Sequence, residues 1–498
     1  MTFAPDRITI GERIGALAAE HPETLAIVSV APDGTRQTLT WEQLERVTNV
    51  AARGLIERAR AAGASPAGPV GIALPSGLDH VIATLAAWKA GALVVPLNHE
   101  ATETERAALR AKLAGGLLIG GREWSGEETG TVAGGWWRDD DGLGDGPVEA
   151  AGVPRSASAS GGSTGLPRIV IRRRPWVYDP ERLLSDADRE TGLRFGQAQL
   201  VTLPMYHAGF TGLHHGLVLD HTIVLLERFV PTLFAGLVEE FRVNCFRIVP
   251  TQMRMLLEVP ALAEADLTSI EAVHQGAGPC LVEVKRRWLE LVAPKVVFED
   301  YSSVERLGLV TIRGDEWLEH PGSVGRPTDC EVLVLRPDGT PAETNEVGEL
   351  YLRSATTGQP EYLGDGPPLR SHGDFLTLGD AGRIDQEGYL FLVGRTSDVL
   401  NVGGANVYPS EIEAVLLGHP AVRDTVVVGK PHEYLGEAVH ALVAAADPQS
   451  PPDRWDLDAY CREHLSLAKV PLSYEFVDDV GRTSAGKLRR GAATGGAR

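Results

Sequence analysis

The stretch GPVGIALPSGLDHVIATLAAWKAGALVVP, residues 68–96, decides the fold class of this chain. Its first part, Gly68–Pro75, has the apolar run of a buried strand, and Leu78–Ala90 has the length and composition of a helix. A second apolar run, Ala92–Pro96, follows the small-residue turn Ala90-Gly91 and predicts another strand. A strand, a helix and a strand in this order form a βαβ unit, so we predict an α/β fold with parallel sheet.

More strand-like runs follow this unit, and the pattern of predicted helices and strands changes near residue 395. The strands predicted before the change are Leu200–Leu203, Thr222–Leu226, Cys245–Val249 and Lys295–Phe298. Residues 121–160 are rich in Gly, Asp, Ser and Ala, which predicts a surface excursion. The elements predicted after the change are a helix at Pro409–Leu417, strands at Asp424–Gly429 and Glu437–Ala444, a helix around Trp455–Leu465 and a strand around Ser473–Val477. We therefore predict two domains, residues 1–395 and a small α+β module at 396–498.

The overall composition is that of a globular enzyme with several domains. The chain has 498 residues, of which 43% are hydrophobic and 23% charged. Its formal net charge of −20 disfavours nucleic acid and anionic membranes as partners, because the mean field repels phosphate. No signal-peptide core or membrane span is visible, and the four cysteines are scattered without metal-ligand spacing. The sequence thus predicts a cytoplasmic protein without disulfides or structural zinc.

The stretch 160–168, SGGSTGLPR, is the first pattern with chemical meaning. Its glycines let backbone N–H groups converge on an anion, its hydroxyls add donors, and Arg168 adds a positive charge. Such a loop can wrap the phosphates of a nucleotide. A flexible linker is the alternative, since Gly/Ser runs usually serve that purpose. A P-loop NTPase is disfavoured because no Gly-Lys-Ser/Thr follows the glycines.

Two further patterns suggest a nucleotide site. Tyr301-Ser-Ser-Val-Glu305 follows a predicted parallel strand, at the edge where α/β proteins bind ligands. Tyr301 can stack on a base and Glu305 can hold Mg²⁺, although a solvated Glu at a strand end is the plainer interpretation. The third pattern runs from Leu378-Gly-Asp380 to Gly394-Arg395. Asp380 can accept hydrogen bonds from ribose hydroxyls, and Arg395 can donate to the sugar or a phosphate. An ordinary β-turn is the alternative there.

Together these patterns resemble the adenylate-forming superfamily of acyl-CoA synthetases, adenylation domains and luciferases. The family patterns TSGTTGxPKG, YGxTE, TGD, GRxxD, GGxNxxPxEIE and PSGK appear here, in the same order, as SGGSTGLPR, YSSVE, LGD, GRTSD, GGANVYPSEIE and TSAGK. The motifs LPMYH at 203–207, GAGP at 276–279 and PGSVGR at 321–326 also match. The resemblance spans nearly the whole chain. It implies a large N-terminal domain of βαβ-type sheets with a β-barrel-like part, and a small mobile α+β C-terminal domain.

The resemblance also implies roles for single residues, carried over only where positions match. Glu305 would hold Mg²⁺ with Thr164 nearby, and Arg168, His207 and Lys487 would take part in catalysis. Gly403 and Gly404 would line the CoA tunnel, and Ser397 stands at the hinge. The nucleotide site would comprise Ser160, Gly161, Gly162, Ser163, Thr164, Gly165, Gly276, Ala277, Gly278, Asp300, Tyr301, Ser302, Ser303, Asp380 and Arg395. The acyl pocket would comprise His207, Ala208, Gly209, Phe210, Gly276 and Val304.

Lys487 resembles the lysine that contacts the substrate carboxylate and the α-phosphate. An ammonium there reduces the repulsion between the attacking carboxylate and an anionic phosphorus. The family forms acyl-AMP and pyrophosphate first, and a thiol then displaces AMP. In relatives the C-terminal domain rotates between these steps, so we expect Lys487 to serve adenylation and the Gly403-Gly404 loop to serve thioester formation. The cofactors implied are ATP, Mg²⁺ and CoA, and the resemblance also allows a homodimer.

Several positions depart from the family pattern. Arg168 replaces the usual Lys, Val304 replaces the Thr before Glu305, and Ser397 stands where the hinge usually carries Asp or Lys. The favoured function is acyl-CoA synthetase. The alternatives are a stand-alone adenylation enzyme that loads an acyl carrier protein, and a non-catalytic adenylate-binding relative.

The acid itself is predicted only by class. No fixed charge is apparent at the pocket positions, so a neutral and bulky or hydrophobic acid is expected. The Ala/Arg-rich composition resembles that of actinobacterial secondary-metabolism ligases, such as the diterpenoid-acid CoA ligases of platensimycin and platencin biosynthesis.

Overall fold

The fold is seen in a computed structural model that describes residues 7–124, 130–139, 142–159, 168–173, 175–179, 191–355 and 358–482. In chain order the helices are α1 (Ile10–Glu20), α2 (Trp41–Ala61), α3 (Leu78–Lys89), α4 (Glu103–Lys112), α5 (Ala208–Val218), α6 (Pro231–Phe241), α7 (Pro250–Leu257), α8 (Pro260–Glu264), α9 (Val282–Leu291), α10 (Gly314–Glu319), α11 (Pro409–Leu417) and α12 (Arg454–His464). The strands are β1 (Ile8–Thr9), β2 (Leu25–Val30), β3 (Arg36–Thr40), β4 (Pro69–Ala73), β5 (Leu93–Pro96), β6 (Leu117–Gly120), β7 (Gly130–Val132), β8 (Arg155–Ala159), β9 (Ile169–Ile171), β10 (Val177–Tyr178), β11 (Ala198–Val201), β12 (Thr222–Leu226), β13 (Cys245–Ile248), β14 (Ala272–Gly276), β15 (Val297–Tyr301), β16 (Val310–Arg313), β17 (Arg326–Pro327), β18 (Cys330–Leu335), β19 (Gly348–Ser354), β20 (Glu361–Tyr362), β21 (Ser371–His372), β22 (Phe375–Leu376), β23 (Asp380–Ile384), β24 (Leu390–Arg395), β25 (Leu400–Val402), β26 (Ala405–Val407), β27 (Val422–His432), β28 (Gly436–Ala445) and β29 (Ser473–Phe476).

The βαβ unit is present as predicted. β4 and β5 are parallel neighbours, with Pro69 opposite Leu93, and α3 connects them. Nearly every residue of α3 is buried, as expected for a helix that is apolar on all sides. Gly91 turns the chain into β5 at φ +83°, and a Cβ there would lie 2.4 Å from the backbone of Gly152. This turn therefore requires glycine.

Two large sheets form the body of the chain. One has nine strands in the order β17-β16-β15-β14-β13-β11-β12-β2-β3, and the other has seven in the order β20-β9-β8-β5-β4-β6-β7. A single apolar core joins them, because residues of both sheets pack on α3 and α5 (Ile72, Val94, Val201, Ile223, Phe210, Leu213). In the nine-stranded sheet the strands from β15 to β2 run parallel. Their carboxyl ends form the edge where the site is expected.

The prediction for residues 121–160 is wrong in part. β7 pairs with β6, and β8 pairs with β5, so the stretch contributes two strands to the seven-stranded sheet. Trp124, Trp136 and Trp137 are buried. Three large aromatic residues supply enough apolar surface to hold a glycine-rich stretch against the core, which an average over its composition obscures.

Two predicted strands are shifted by a few residues. β11 begins and ends two residues before the predicted Leu200–Leu203. The strand predicted at Lys295–Phe298 begins at Val297, after a 3₁₀ turn over Pro294–Val296, and extends to Tyr301. Pro294 starts this turn because its fixed φ and missing N–H disfavour a ladder strand. As a result Tyr301 is the last residue of a strand rather than a loop residue.

The remaining part of the chain forms two smaller sheets. β18, β19 and β21–β24 form an antiparallel sheet, whereas the β-barrel-like shape implied by the resemblance stays a prediction. The C-terminal sheet has the order β26-β25-β28-β27, with β29 added on β28, and it packs on α11 and α12. β24 ends at Arg395 and β25 begins at Leu400, so residues 396–399 connect the two sheets. The predicted mixed α/β architecture, with a large N-terminal part and a smaller C-terminal part, is confirmed.

One arginine ties the C-terminal sheet to the large part. Arg254 of α7 donates from Nη2 to the carbonyl oxygen of Val422 at 3.0 Å and from Nη1 to that of Arg423 at 2.7 Å. Both acceptors belong to the first two residues of β27. Within the ranges given above, no helix is long and apolar enough to cross a membrane.

Two buried histidines predict how stability depends on pH. Burial lowers the pKa of His80 to about 3 and that of His221 to about 4, whereas both protonate near 6.5 in an unfolded chain. The unfolded chain thus binds more protons below pH ~6.5, and the stability contribution is lost as pH falls below that value. We expect each of these histidines to lower the free energy of unfolding by about 1.4 kcal/mol as the pH falls from 7.5 to 5.5. Urea unfolding of His80→Gln should be less sensitive to pH over this range. His372→Gln at an exposed position is the control, and an unchanged pH slope in His80→Gln would contradict the assignment.

Candidate active site

Three residues predicted for the nucleotide site meet at the end of the parallel sheet. Tyr301 ends β15, and its hydroxyl donates to Oδ2 of Asp380 at 2.9 Å. Asp380 begins β23 opposite Arg395, whose Nε lies 3.2 Å from Oδ1 of the same carboxylate. Burial, followed by the negative charge of Asp380, raises the pKa of Tyr301 well above its usual value, so the phenol stays a donor. Each Asp380 oxygen keeps a lone pair that can accept a further hydrogen bond from a ribose hydroxyl.

The loop Gly276–Gly278, predicted for the adenine site, follows the strand next to the one that ends at Tyr301. Gly276 ends β14 opposite Asp300, and a Cβ at Gly276 would be 2.9 Å from the Asp300 carbonyl oxygen. Ala277 adopts φ +67°, a left-handed conformation that costs a non-glycine residue about 1–2 kcal/mol. Gly278 has open space around its Cα. Ala277 therefore holds the loop in a strained conformation, directly after the strand that neighbours Tyr301.

A buried ion pair lies beneath this loop. Nζ of Lys285, on α9, is 3.2 Å from a Glu299 oxygen and 3.1 Å from Oε1 of Gln275. Nε2 of Gln275 then donates to the Gly278 carbonyl at 3.3 Å. Lys285 is fully buried, and burial raises the pKa of Glu299 despite the lysine beside it. The motifs did not predict this network, which connects the core to the loop expected to hold adenine.

We expect Lys285→Met to raise KM for ATP about tenfold and to destabilise the fold by about 3–5 kcal/mol, because removing one partner strands a buried charge. The measurements are ATP–pyrophosphate exchange against ATP concentration and the urea unfolding midpoint. Removing both charges in Lys285→Met/Glu299→Leu should recover much of the stability but not KM, because Gln275 still lacks its donor. Recovery of KM in the double variant would contradict the positioning role.

Asp300 is the centre of a second cluster of polar side chains, on the face of the sheet toward α5. Its carboxylate accepts from Nδ1 of His274 at 2.9 Å and from the hydroxyl of Thr311 at 3.1 Å, and Nη1 of Arg247 is 3.5 Å away. Burial alone would raise the pKa of Asp300, but His274 and Arg247 together lower it to about 2. Asp300 is therefore ionised and occupied by protein donors.

The predicted acyl-pocket residues divide into buried and open positions. His207 directly precedes α5, and its backbone N–H donates to the Pro204 carbonyl at 2.9 Å. Ala208 and Val304 are partly open, but Phe210 packs against Trp88 in the core. A Cβ at Gly209 would lie 2.1 Å from the Leu203 carbonyl oxygen. Glycine at this position thus serves close packing of α5 rather than space for a substrate.

Glu305, Arg168 and Tyr362 lie near one another. Burial, followed by the charge of Glu305, raises the pKa of Tyr362, while Arg168 opposes the shift. Among the described residues no group of three or more His, Cys, Asp or Glu side chains is arranged to hold a metal. A single carboxylate fits Mg²⁺ that arrives bound to nucleotide phosphates, since such ions use one or two carboxylates and keep waters. Tyr362 was not predicted, because no motif includes it.

The other predicted residues occupy separate places. Ser302 donates to the Gly308 carbonyl at 2.9 Å, and the hydroxyl of Ser303 is buried. Gly403 and Gly404 form the exposed turn between β25 and β26, at φ +58° and +87°. Ser397 lies in the 396–399 connection, where its hydroxyl donates to Asp398 at 2.9 Å. Predicted residues that lie outside the described ranges are Ser160, Gly161, Gly162, Ser163, Thr164, Gly165 and Lys487.

Two family models match this chain. The model of the AMP-binding enzyme family matches residues 16–129 and 159–360, and that of the AMP-binding enzyme C-terminal domain matches 411–487. The chain therefore belongs to the AMP-binding enzyme family. This confirms the predicted membership of the adenylate-forming superfamily and the prediction of an ATP-dependent acid–thiol ligase.

The names of relatives of similar length give different acyl acceptors. The chain is 28% identical to fatty acid–[acyl-carrier-protein] ligase ScoC of Streptomyces coeruleorubidus, over 98% of this chain and 96% of that protein. It is 30% identical to feruloyl-CoA synthase of an Amycolatopsis species, over 91% and 93%. The structure of o-succinylbenzoate CoA synthetase from Bacillus subtilis, in complex with an acyl-adenylate intermediate, superposes with a TM-score of 0.82 at 25% identity, over 99% of both chains.

Proposed function

We propose that this chain joins a carboxylic acid to CoA in two steps. In the first, a carboxylate oxygen attacks the α-phosphorus of ATP, and pyrophosphate leaves as acyl-AMP forms. In the second, the CoA thiol attacks the acyl carbonyl carbon, the thiol proton is lost, and AMP leaves. The contact of Tyr301, Asp380 and Arg395 carries this proposal, because it brings an aromatic face and a ribose-binding carboxylate to the ligand edge of the sheet.

The positions of the described side chains support the following proposed roles. Asp380 and Arg395 orient the ribose, and Tyr301 stacks on adenine opposite the Gly276–Gly278 loop. Glu305 would hold Mg²⁺ on the phosphates, and the ion would supply positive charge to offset the charge of the pyrophosphate. Arg168, near Glu305, supports the same phosphates, together with the Ser160–Gly165 loop. His207 borders the reacting carboxylate at the start of α5.

The two-domain arrangement is part of the proposal. We place the junction at residues 396–399, with Ser397 as its pivot, so that residues 396–498 turn as a unit. Lys487 then faces the carboxylate during adenylation, and the Gly403-Gly404 turn faces the cleft during thioester formation. The exposure of that turn and its open surroundings support a path for the pantetheine arm.

The acid and the setting are proposed as well. We propose a bulky or hydrophobic acid of secondary metabolism, processed in the cytoplasm, where the four free cysteines stay reduced. A homodimer, which the resemblance allows, stays a prediction that light scattering can check.

The acceptor has a second candidate. The likeness to a carrier-protein ligase over 98% of this chain supports transfer to an acyl carrier protein instead of CoA. The test is ATP–pyrophosphate exchange with a panel of acids, including diterpenoid acids, followed by a choice between free CoA and a carrier protein. Exchange with acyl transfer to CoA supports the proposal. Transfer only to the carrier supports the second candidate, and the absence of exchange with every acid would overturn both.

A further inference from the structure

One stripe of helix α5 is partly exposed, while the rest of the helix is buried. His207 directly before the helix, Thr211 and His215 are partly open, at intervals of four residues. Residues spaced by four lie on one helix face, so these side chains line one wall. The remaining turns are packed in the core between the two large sheets (Phe210, Leu213, Leu217, Val218). The stripe therefore continues along α5 from His207, a residue predicted for the acyl pocket.

Three arginines bear on this wall. Nη2 of Arg172, directly after β9, donates to the Thr211 hydroxyl at 2.7 Å, and its guanidinium lies 4.9 Å from the Trp176 ring centre. Arg247 points from β13 to the same face of the sheet as Val201, its partner in β11. After burial itself, the charges of Arg247, Arg306 and Arg172 each lower the pKa of His215. Arg172 is thus fixed at Thr211, in the middle of the stripe, and Arg247 lies on the face of the sheet that α5 covers.

Among the described residues, one carboxylate is in contact with Arg172 or Arg247. Asp300 is the carboxylate in contact with Arg247, at 3.5 Å, and it already accepts from His274 and Thr311. In the part of the chain that the structure describes, Arg172 contacts a hydroxyl and an aromatic ring. Burial, followed by the charges of Arg306 and Arg247, lowers the pKa of Arg172 to about 9. Burying a guanidinium costs free energy unless an anion, here that of a ligand, compensates its charge.

The reacting carboxylate cannot be that lasting anion. It lies at the His207 end of the stripe, and it loses its charge when acyl-AMP forms. A helix rises 1.5 Å per residue, so Thr211 lies about 6 Å and His215 about 12 Å along the axis from His207. The arginines are therefore placed for a group one to two helical turns away from the reacting carboxyl.

We propose that the acid carries a second anionic group, a carboxylate, which Arg172 and Arg247 bind at the Thr211–His215 end of the cleft. This inference rests on the proposed function, because it names the class of acid that the adenylation site takes. It replaces the sequence-based expectation of a neutral acid, since neither arginine belongs to a motif. Planar guanidiniums bind carboxylates through paired hydrogen bonds, and an ammonium group would be repelled, which excludes amino acids.

The experiment compares diacids of several lengths, straight-chain and aryl, with monoacids in which a methyl group replaces the second carboxylate. The first measurement is kcat/KM for ATP–pyrophosphate exchange with each pair. We expect the wild type to prefer one diacid over its monoacid at least about tenfold, and Arg172→Met or Arg247→Met to reduce this ratio about 10–100-fold. A merely structural role would lower both rates alike and leave the ratio unchanged. Arg462→Met, on the exposed face of α12, is the control and should change neither rate.

Calorimetric binding of the preferred diacid, in wild type and in Arg172→Met, separates this inference from the proposed function. Exchange with monoacids but not diacids, or an unchanged ratio in both arginine variants, would overturn the second-carboxylate proposal alone. Diacid binding that Arg172→Met abolishes, without exchange, would support the subsite and overturn the adenylation function. Neither binding nor exchange with any acid would overturn both.

Discussion

Lys487→Ala should slow pyrophosphate release about 10²–10³-fold, because the ammonium that stabilises charge on the α-phosphate is lost. The same variant should form thioester from supplied acyl-AMP and CoA at nearly the wild-type rate. In the proposed cycle the C-terminal module moves Lys487 out of the cleft before the thiol enters. Single-turnover assays of the two half-reactions measure this difference directly.

Lys430→Ala is a matched control in the same module. Lys430 is exposed on β27, 3.8 Å from Glu475, and we expect its loss to change neither half-reaction. Wild-type pyrophosphate release by Lys487→Ala would contradict the role of the lysine. A collapse of thioester formation from acyl-AMP would contradict the rotation instead, because Lys487 would then serve both steps.

Gly403→Trp should have the opposite effect, with thioester formation reduced by at least about 10²-fold and adenylation nearly unchanged. Gly403 is exposed in the turn proposed to line the pantetheine path, and a Cβ there would already lie 3.2 Å from the Leu435 side chain, so we expect an indole to obstruct that path. Losing the oriented approach of a reactant typically costs rate of this size. Acyl-AMP should accumulate, and its release can be followed by chromatography.

Backbone strain needs its own control, because Gly403 has φ +58° and any side chain there costs about 1–2 kcal/mol. Gly339→Trp imposes a similar strain at φ +82°, in a turn with open space around it. We expect this control to lose a little stability and neither half-reaction. Normal thioester formation in Gly403→Trp would exclude the turn as part of the CoA path.

Local signals in the sequence were sufficient for the elements that are apolar along their whole length. The βαβ unit, α11 and the C-terminal strands were predicted because burial on one or both faces leaves a clear pattern. Tyr301, Asp380 and Arg395 were predicted from motifs, and the structure brings them into contact although 79 positions separate the first two. In residues 121–160 the same reasoning failed, because a few tryptophans decide the packing there.

Contacts between distant positions were the part that local patterns could not supply. Arg172 meets Thr211 across 39 positions, and Arg247 meets Asp300 across 53. In the sequence each of these arginines looks like one more basic residue in an arginine-rich chain. Lys285 is similar, because its partners Gln275 and Glu299 come from neighbouring strands whose pairing is set by the whole sheet. A motif records which residues a family shares, and specificity at one cleft depends on residues outside the motifs.

The two hydrogen bonds from Arg254 to the C-terminal sheet have a consequence for how the two halves of the chain evolve. Its acceptors are the main-chain carbonyls of residues 422 and 423, which every amino acid supplies, whereas the donors come from one side chain. Substitutions at 422 and 423 therefore leave the acceptors in place. The small half can change its side chains at these two positions without a matching change in the large half. Exchange of C-terminal modules between relatives can preserve this contact as long as the recipient keeps an arginine at 254.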